Sequence, residues 1–394
     1  MSTAETSGEA THRGGARREE ANRKGTSGGG RHDVEGRHDV EGQPDPRGVT
    51  LRSVAAHAGV SKSVVSRVLQ GSPHVSEARR RAVEAAIEEL RYRPNRAARS
   101  LAERRTRAIG VLVNDLRQPW LVDFLDGLGR VLAEQGLHPL VGDGRLDPAT
   151  DAAILDGFLE MRVDGLVVAG TTPASLALGE AARTVPTVVA GRRDFSLPNV
   201  DVVAQDDRLG VELALEHLHD LGHRYIAHVA GNTGRAFTIR RAAYEDWIVR
   251  HGLGAHAAVA TCDTTAEGGY RAALELLDTD AERRPTALFV GNDLAGLGAL
   301  AAAQERELAV PGELSLAGFD NSTLAQMRYV GLTSVDVAPE RAGQVAGAAL
   351  VERIAEPGLA AREILLTPSL AVRRSTGPAP TRTRRRAGPP PRRP

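Results

Sequence analysis

The 394-residue chain has few aromatic side chains, 3%, and a single cysteine, Cys262. One thiol cannot close a disulfide within the chain, which fits a reducing compartment, the cytoplasm. No apolar run reaches the roughly twenty residues of a membrane span, so no membrane partner is expected. The opening residues, MSTAETSGEATHRGG, contain no apolar leader core, and export is not expected. With rings scarce, Ala, Gly, Val and Leu must carry the core, which fits closely packed α/β layers. Net charge is also missing, since 50 Lys/Arg balance 50 Asp/Glu. The balance hides an asymmetry. From Gly48 to Arg107 thirteen Lys/Arg face five Asp/Glu, a local net of +8. A basic module on an acidic remainder is the electrostatic footprint of a nucleic-acid binder.

Within that module the stretch from Thr50 to Leu101 organises the reading. Val54, Ala55 and Ala58 recur at helical spacing, and Gly59 then breaks the pattern. Glycine adopts the positive φ of a tight inter-helix turn without steric cost. Ser61 stands at an N-cap position, where its oxygen can accept a free backbone N–H of the next helix. Val64, Val65, Val68 and Leu69 form a second apolar stripe. Small residue, glycine turn and buried valine make a helix-turn-helix, whose second helix enters the major groove. That helix carries Lys62, Ser63, Ser66 and Arg67 on its polar side, and Arg67 can bridge guanine O6 and N7. A third helix is capped by Ser76 and buries Ala82, Val83, Ala86, Ile87 and Leu90. After Pro94 a piece of about seven residues is too short to be a stable helix alone. It carries Arg96, Arg99 and, at its end, Leu101, an apolar wedge for the minor groove.

The segment TLRSVAAHAGVSKSVVSRVLQGSPHVS…YRPNRAARSL resembles the headpiece and hinge of the lactose-repressor (LacI) family of bacterial transcriptional regulators, and the resemblance extends over about Val49 to Arg373. It implies base reading by Lys62, Ser63 and Arg67. It implies phosphate contacts from Thr50, Ser61, Ser66, Gln70, His74 and the backbone of Val75. Gln70 replaces the asparagine usual in the family. Asn95, Ala98 and Leu101 match the hinge positions in the minor groove.

The expected fold class is α/β. An N-terminal helix-turn-helix headpiece precedes a two-lobed, periplasmic-binding-protein-like sensor with parallel sheets. Residues 1–47 are polar and glycine-rich, contain RHDVEG twice, and are expected to be disordered. His32, His38, Asp33 and Asp39 there lack a scaffold that would make a metal site. The headpiece is placed at 48–93, the hinge and linker at 94–107, and the sensor at 108–373. A disordered Pro/Arg-rich tail covers 374–394. In the sensor, AIGVLV, HPLVGD, GLVVAG and PTVVAG, then YIAHVAG, AAVATC, ALFVGN and LSLAGF, are short apolar runs separated by helices, such as one over Trp120–Glu134. Such runs indicate two parallel sheets covered on both faces. By the resemblance, the chain crosses between lobes near Gln205, Val335 and Thr367.

Ligands in open α/β sheets bind beyond the carboxyl ends of the strands. Those ends carry Asn114-Asp115, Gly170-Thr171, Gly191-Arg192, Asn292-Asp293 and Asp320-Asn321. The resemblance implies effector-binding roles for Arg240, Asn292, Asp293 and Asp320, and for Trp120 at the cleft mouth; Arg192 joins them as a strand-end candidate. Arg and Asp facing each other suit a polyol. Three departures argue against a simple sugar: Asp263-Thr264-Thr265 stands where the family often has an aromatic, VGLTS replaces PPLTT before the last crossing, and Asn321 replaces an aspartate.

The expected partners are a double-stranded DNA operator, a small-molecule effector (a sugar or related polar metabolite) and a second copy of the chain in a homodimer. No cofactor, metal or catalytic residue is expected. His217, His219, His223 and His228 fit helix and strand faces better than a metal site. A transport solute-binding protein is the rival that the missing leader and the attached headpiece disfavour. An enzyme is disfavoured because no Ser/His/Asp or Cys/His motif surrounds any candidate.

Overall fold

The computed structural model describes residues 49–92, 105–170, 176–191, 197–280 and 282–381. It divides into two compact units, 1–93 and 94–394. The hinge candidates Asn95, Ala98 and Leu101 lie outside the described residues, as do 1–48 and 382–394. Among the described residues no helix is long and apolar enough to cross a membrane.

The first unit has helices α1 (Leu51–His57), α2 (Lys62–Leu69) and α3 (Glu77–Glu89). Thr50 opens α1 with a reciprocal cap: its hydroxyl accepts from Ser53 N–H and the Ser53 hydroxyl accepts from Thr50 N–H, both at 3.3 Å. Gly59 makes the turn at φ +62°. Val54, Ala55, Val65, Val68, Val83, Ala86 and Tyr92 form the core. Two expectations are corrected. Ser61 is the N-cap of α2, but its hydroxyl pairs with that of Ser63 at 2.8 Å and caps no backbone N–H. Ala82 is exposed, because the buried positions of α3 are Val83 and Ala86, with Ile87 and the C-cap Leu90 partly buried beside them, and Ala82 lies to one side.

The second unit holds two six-stranded sheets. The first contains β1 (Ala108–Val113), β2 (His138–Asp143), β3 (Gly165–Ala169), β4 (Thr187–Ala190), β5 (Val200–Gln205) and β11 (Glu363–Leu366), in the order β11-β5-β4-β3-β1-β2, all parallel. The second contains β6 (Ile226–Gly231), β7 (Val259–Cys262), β8 (Ala287–Val290), β9 (Ser315–Asp320), β10 (Thr333–Asp336) and β12 (Ser369–Ala371), in the order β12-β10-β9-β8-β6-β7. It is parallel except for β12, which is antiparallel to β10. The chain therefore passes between lobes after Gln205, after Asp336 and after Leu366. β5 and β10–β12 were not among the apolar runs of the sequence. They are short or, like β5 with its buried Asp201, interrupted by a polar residue. HPLVGD is a strand but not a buried one: β2 is an exposed edge, where Pro139 needs no ladder partner.

Helices cover both faces of each sheet: α4 (Trp120–Glu134), α5 (Pro148–Glu160), α6 (Leu176–Thr184) and α12 (Pro339–Ala355) on the first, and α7 (Asp207–Asp220), α8 (Arg235–Arg250), α9 (Ala266–Leu277), α10 (Asp293–Glu305) and the single turn α11 (Thr323–Gln326) on the second. The scarcity of rings has its counterpart in the closeness of these helices. A Cβ on Gly127 of α4 would lie 2.0 Å from the carbonyl oxygen of Glu340, and one on Gly343 of α12 would lie 2.0 Å from that of Phe124.

The sensor extends past the expected boundary at Arg373. Ser375 is buried; its hydroxyl accepts from Thr333 N–H at 2.8 Å and donates to the Leu316 carbonyl at 2.6 Å. Ala379 N–H donates to the Leu221 carbonyl at 2.8 Å. Residues 374–381 thus belong to the folded lobe: their backbone hydrogen bonds outweigh a composition that suggests a solvated tail. Two of the candidate histidines have structural partners. His223 joins Thr286 and Ser315 through its two ring nitrogens at 2.9 and 3.0 Å. His228, in the middle of β6, stacks on Phe289 and donates Nδ1–H to the Phe289 carbonyl at 3.0 Å.

Candidate functional site

In the first unit, the apolar stripe of α2 faces the core and turns its other side to solvent. Lys62, Ser63 and Arg67 are exposed, as are Gln70 and His74 beyond the helix, while Ser66 is half-buried. Thr50 and Ser61 are exposed at the starts of α1 and α2, where backbone N–H groups and the helix dipole favour an anion. The candidate base-reading side chains therefore lie together on one helix face, with candidate phosphate contacts at its margins.

In the second unit, the carboxyl ends of both sheets face a cleft with about 860 Å³ of atom-free space, part of it open to solvent. From the first lobe, Asn114, Asp115, Gln118, Trp120, Gly170 and Gly191 line it. From the second come Thr233, Phe237, Arg240, Thr264, Asn292 and Asp320. Most of the strand-end candidates therefore converge. Arg192 and Thr171 lie outside the described residues. Trp120, the first residue of α4, is half-buried at the cleft, edge-on to Phe124 at 5.8 Å.

Arg240 is held on three sides. Its Nε donates to Asp207 at 2.8 Å, its Nη1 donates to the Gly291 carbonyl at 2.6 Å, and its plane lies over Phe319 at 3.6 Å. Asp320 Oδ1 stands 3.8 Å from Nη1. Asp320 has φ +112°, a conformation costly for a residue with a Cβ and characteristic of functional sites. Burial pushes its carboxyl well above the usual range; the Arg240 cation opposes this, and the Asp293 and Asp207 carboxylates add to the rise. Burial also raises Asp115, but three hydrogen bonds from Arg117, two from its guanidinium at 2.8 and 2.9 Å and one from its backbone N–H at 3.0 Å, together with its charge outweigh it and hold that carboxyl below its ordinary value.

Asp293 is the correction in this set. It does not line the cleft. It is fully buried beneath it, accepting from Ser322 N–H at 2.7 Å and from the hydroxyls of Ser322 and Ser334 at 2.9 and 2.6 Å. Burial pushes it up to about 6 against those bonds. Its work is to fix the turn after β9 that presents Asp320. Asn292 remains in the cleft as the N-cap of α10, accepting from Ala295 N–H at 3.1 Å.

Sequence reasoning missed Gln118, Thr233, Phe237, Thr264 and the anchoring Asp207. Asp207 reads in sequence as a helix-start acid, and its true partner lies 33 positions away. Phe237 supplies a cleft ring although none follows β7. It is seated against Gly231, where a Cβ would lie 2.5 Å from its ring carbons. That small residue before an aromatic-bearing helix was the available signal.

The comparisons with known proteins agree with this geometry. Residues 50–95 match the family of bacterial regulatory proteins, lacI family, and 215–376 match a periplasmic binding protein-like domain. The chain is 33% identical over 322 residues to the ribose operon repressor of Escherichia coli (strain K12), covering 81% of this chain and 97% of that protein. It is 32% identical over 324 residues to the HTH-type transcriptional repressor PurR of Pectobacterium carotovorum subsp. carotovorum (strain PC1), covering 77% and 90%. The lac repressor dimer bound to operator and the anti-inducer ONPF superposes with TM-score 0.74 at 28% identity, over 84% of this chain and 99% of that one. A CelR–cellobiose complex gives 0.61 at 32%, over 83% and 99%. A helix-turn-helix module joined to a two-lobed, cleft-bearing α/β body defines a ligand-responsive, DNA-binding regulator of transcription. This chain belongs to the LacI family of bacterial regulatory proteins.

Proposed function

We propose that the protein is a cytoplasmic, homodimeric repressor that binds a pseudo-palindromic operator through two headpieces and changes its DNA affinity when a small polar metabolite enters the cleft. Lys62, Ser63 and Arg67 read bases. Thr50, Ser61, Ser66, Gln70 and His74 position the phosphates, and Asn95, Ala98 and Leu101 serve the hinge in the minor groove. In the cleft, Arg240, Asn292 and Asp320 bind the effector, with Trp120 against one of its faces, and Arg192 joins them as a further contact.

The observation that carries the ligand class is the pairing of unlike surfaces. Trp120 and Phe237 offer apolar faces from opposite lobes, and Arg240, Asp320 and Asn114 offer polar groups between them. Asn114 Oδ1 is buried without a hydrogen-bond partner. A buried acceptor of that kind gains from a hydroxyl donor on a ligand. A hydroxylated ring with an apolar face, of sugar or nucleoside type, fits both features. The ion pairs Arg240–Asp207 and Arg117–Asp115 leave little uncompensated positive charge among the described lining residues, which favours neutral ligands over phosphorylated ones.

Titrating labelled operator with protein, in the presence and absence of sugars, nucleosides and sugar phosphates, tests the proposal. A neutral hydroxylated ligand is expected to shift DNA affinity. Linkage requires DNA to shift that ligand's affinity by the same factor. Operator affinity that stays the same with every ligand would remove the allosteric reading, and steep salt dependence is expected throughout.

A further inference from the structure

The two lobes are joined across the cleft by a buried side-chain hydrogen bond: Asn292 Nδ2 of the second lobe donates to Gln118 Oε1 of the first at 3.2 Å. Both residues are at least nine-tenths buried. Each is also pinned within its own lobe. Asn292 caps α10 by accepting from Ala295 N–H, which fixes its amide so that Nδ2 must point the other way. Gln118 closes a turn in which its N–H donates to the Asp115 carbonyl at 3.1 Å while Asp115 Oδ1 accepts from Arg117 N–H at 3.0 Å. A bond between a capped side chain and one carried on a hydrogen-bonded turn transmits the position of one lobe to the other.

We propose that Gln118 is a positioning residue that latches the lobes together in the ligand-free protein, through a hydrogen-bond donor that a ligand would otherwise use. The donor count supports this. A primary amide has two N–H groups; those of Asn292 go to Gln118 Oε1 and, at 3.1 Å, to the Thr264 carbonyl. While the latch is closed, Asn292 has no N–H for a ligand. A ligand oxygen that takes the Asn292 hydrogen bond in place of Gln118 then has to join the lobes itself. This inference rests on reading the cleft as the ligand site. It places part of the closing force in the protein rather than in the ligand.

Ligand-free protein suffices for the test, so its outcome is separate from that of the operator titration. In a Cys262→Ala background, spin labels on Asp156→Cys and Glu275→Cys, both exposed and on different lobes, report the interlobe distance. Gln118→Ala is expected to lower the closed-to-open ratio roughly five- to tenfold, the usual effect of one net hydrogen bond. Gln118→Glu, which keeps the acceptor, should retain the unsubstituted distance distribution. Asn292→Asp, which keeps the cap oxygen and loses both donors, should open the lobes as Gln118→Ala does, and combining the two should add little. A distribution unchanged by Gln118→Ala, or an equal opening by Gln118→Ala and Gln118→Glu, overturns the proposal.

Discussion

His228 allows a pH prediction with a definite sign. Its ring is 1% exposed, lies between Phe289 and Tyr244 at 4.9 and 5.1 Å, donates Nδ1–H to a carbonyl, and leaves Nε2 without a partner. Burial, only partly opposed by the Phe289 carbonyl, lowers its pKa from 6.5 to about 4. Between those values the unfolded chain binds a proton that the folded core refuses. Stability from this residue is complete above pH 6.5 and is lost as pH falls through that window. At 1.36 kcal/mol per unit, the loss reaches about 3 kcal/mol. Asp293 works in the opposite direction. Its folded pKa of about 6 exceeds 3.8, so its contribution is complete at low pH and is lost as pH rises through that window. The two oppose each other in the unsubstituted protein, so its own pH dependence does not isolate His228. His228→Phe separates them, because it keeps a ring in the stack and removes the titration. The variant should begin about 1–3 kcal/mol less stable at neutral pH, since the Phe289 carbonyl loses its donor. By about pH 4.5 the gap should have moved by about 2.5 kcal/mol in the variant's favour, because only the unsubstituted protein loses stability through this ring. Urea midpoints followed by circular dichroism between these pH values give the difference. A stability gap that stays constant with pH would refute the assignment of a neutral, buried His228.

Three further outcomes are expected. Arg67→Ala should weaken operator binding by about 1–3 kcal/mol and relax base preference; an equal fall on operator and random DNA in a gel-shift titration would reduce Arg67 to a phosphate contact. Asp207→Ala leaves the nearly buried Arg240 without its shortest carboxylate partner, and a loss of about 3–5 kcal/mol is expected by urea denaturation; a loss below about 1 kcal/mol would mean that Asp320 takes over as partner. Gly127→Ala places a methyl 2.0 Å from the Glu340 carbonyl oxygen, so α4 and α12 must separate. The expected destabilisation is about 1–3 kcal/mol, seen as a lower thermal midpoint, and an unchanged midpoint would contradict such close packing.

Much of the fold was legible because it depends on local chemistry. The headpiece follows from Gly59, the valine stripe of α2 and the spacing of α3, each set within a few residues. Most strands named from apolar runs are buried on both sides; the edge strands β2 and β7 are the exceptions. The missed strands, β5 and β10–β12, are short or polar at one position, and β11 takes its neighbour, β5, from a distant part of the chain. Ser61 shows how far a local rule extends: the residue occupies the N-cap position as read, while its hydroxyl turns to Ser63.

The sequence by itself determined the basic helix-turn-helix face, the two α/β layers and which strand ends carry polar groups, because charge, periodicity and turn chemistry act over short separations. Tertiary structure alone decided what those polar groups do. Asn292 and Asp293 are adjacent in the chain, yet one reaches across the cleft to Gln118 and the other is buried beneath it on two serines. Asp207 and Arg240, on separate helices, become one buried ion pair. Hydrogen bonds and ion pairs of this kind depend on distances of about 3 Å, and only the packing of whole helices and sheets sets distances between residues so far apart in sequence.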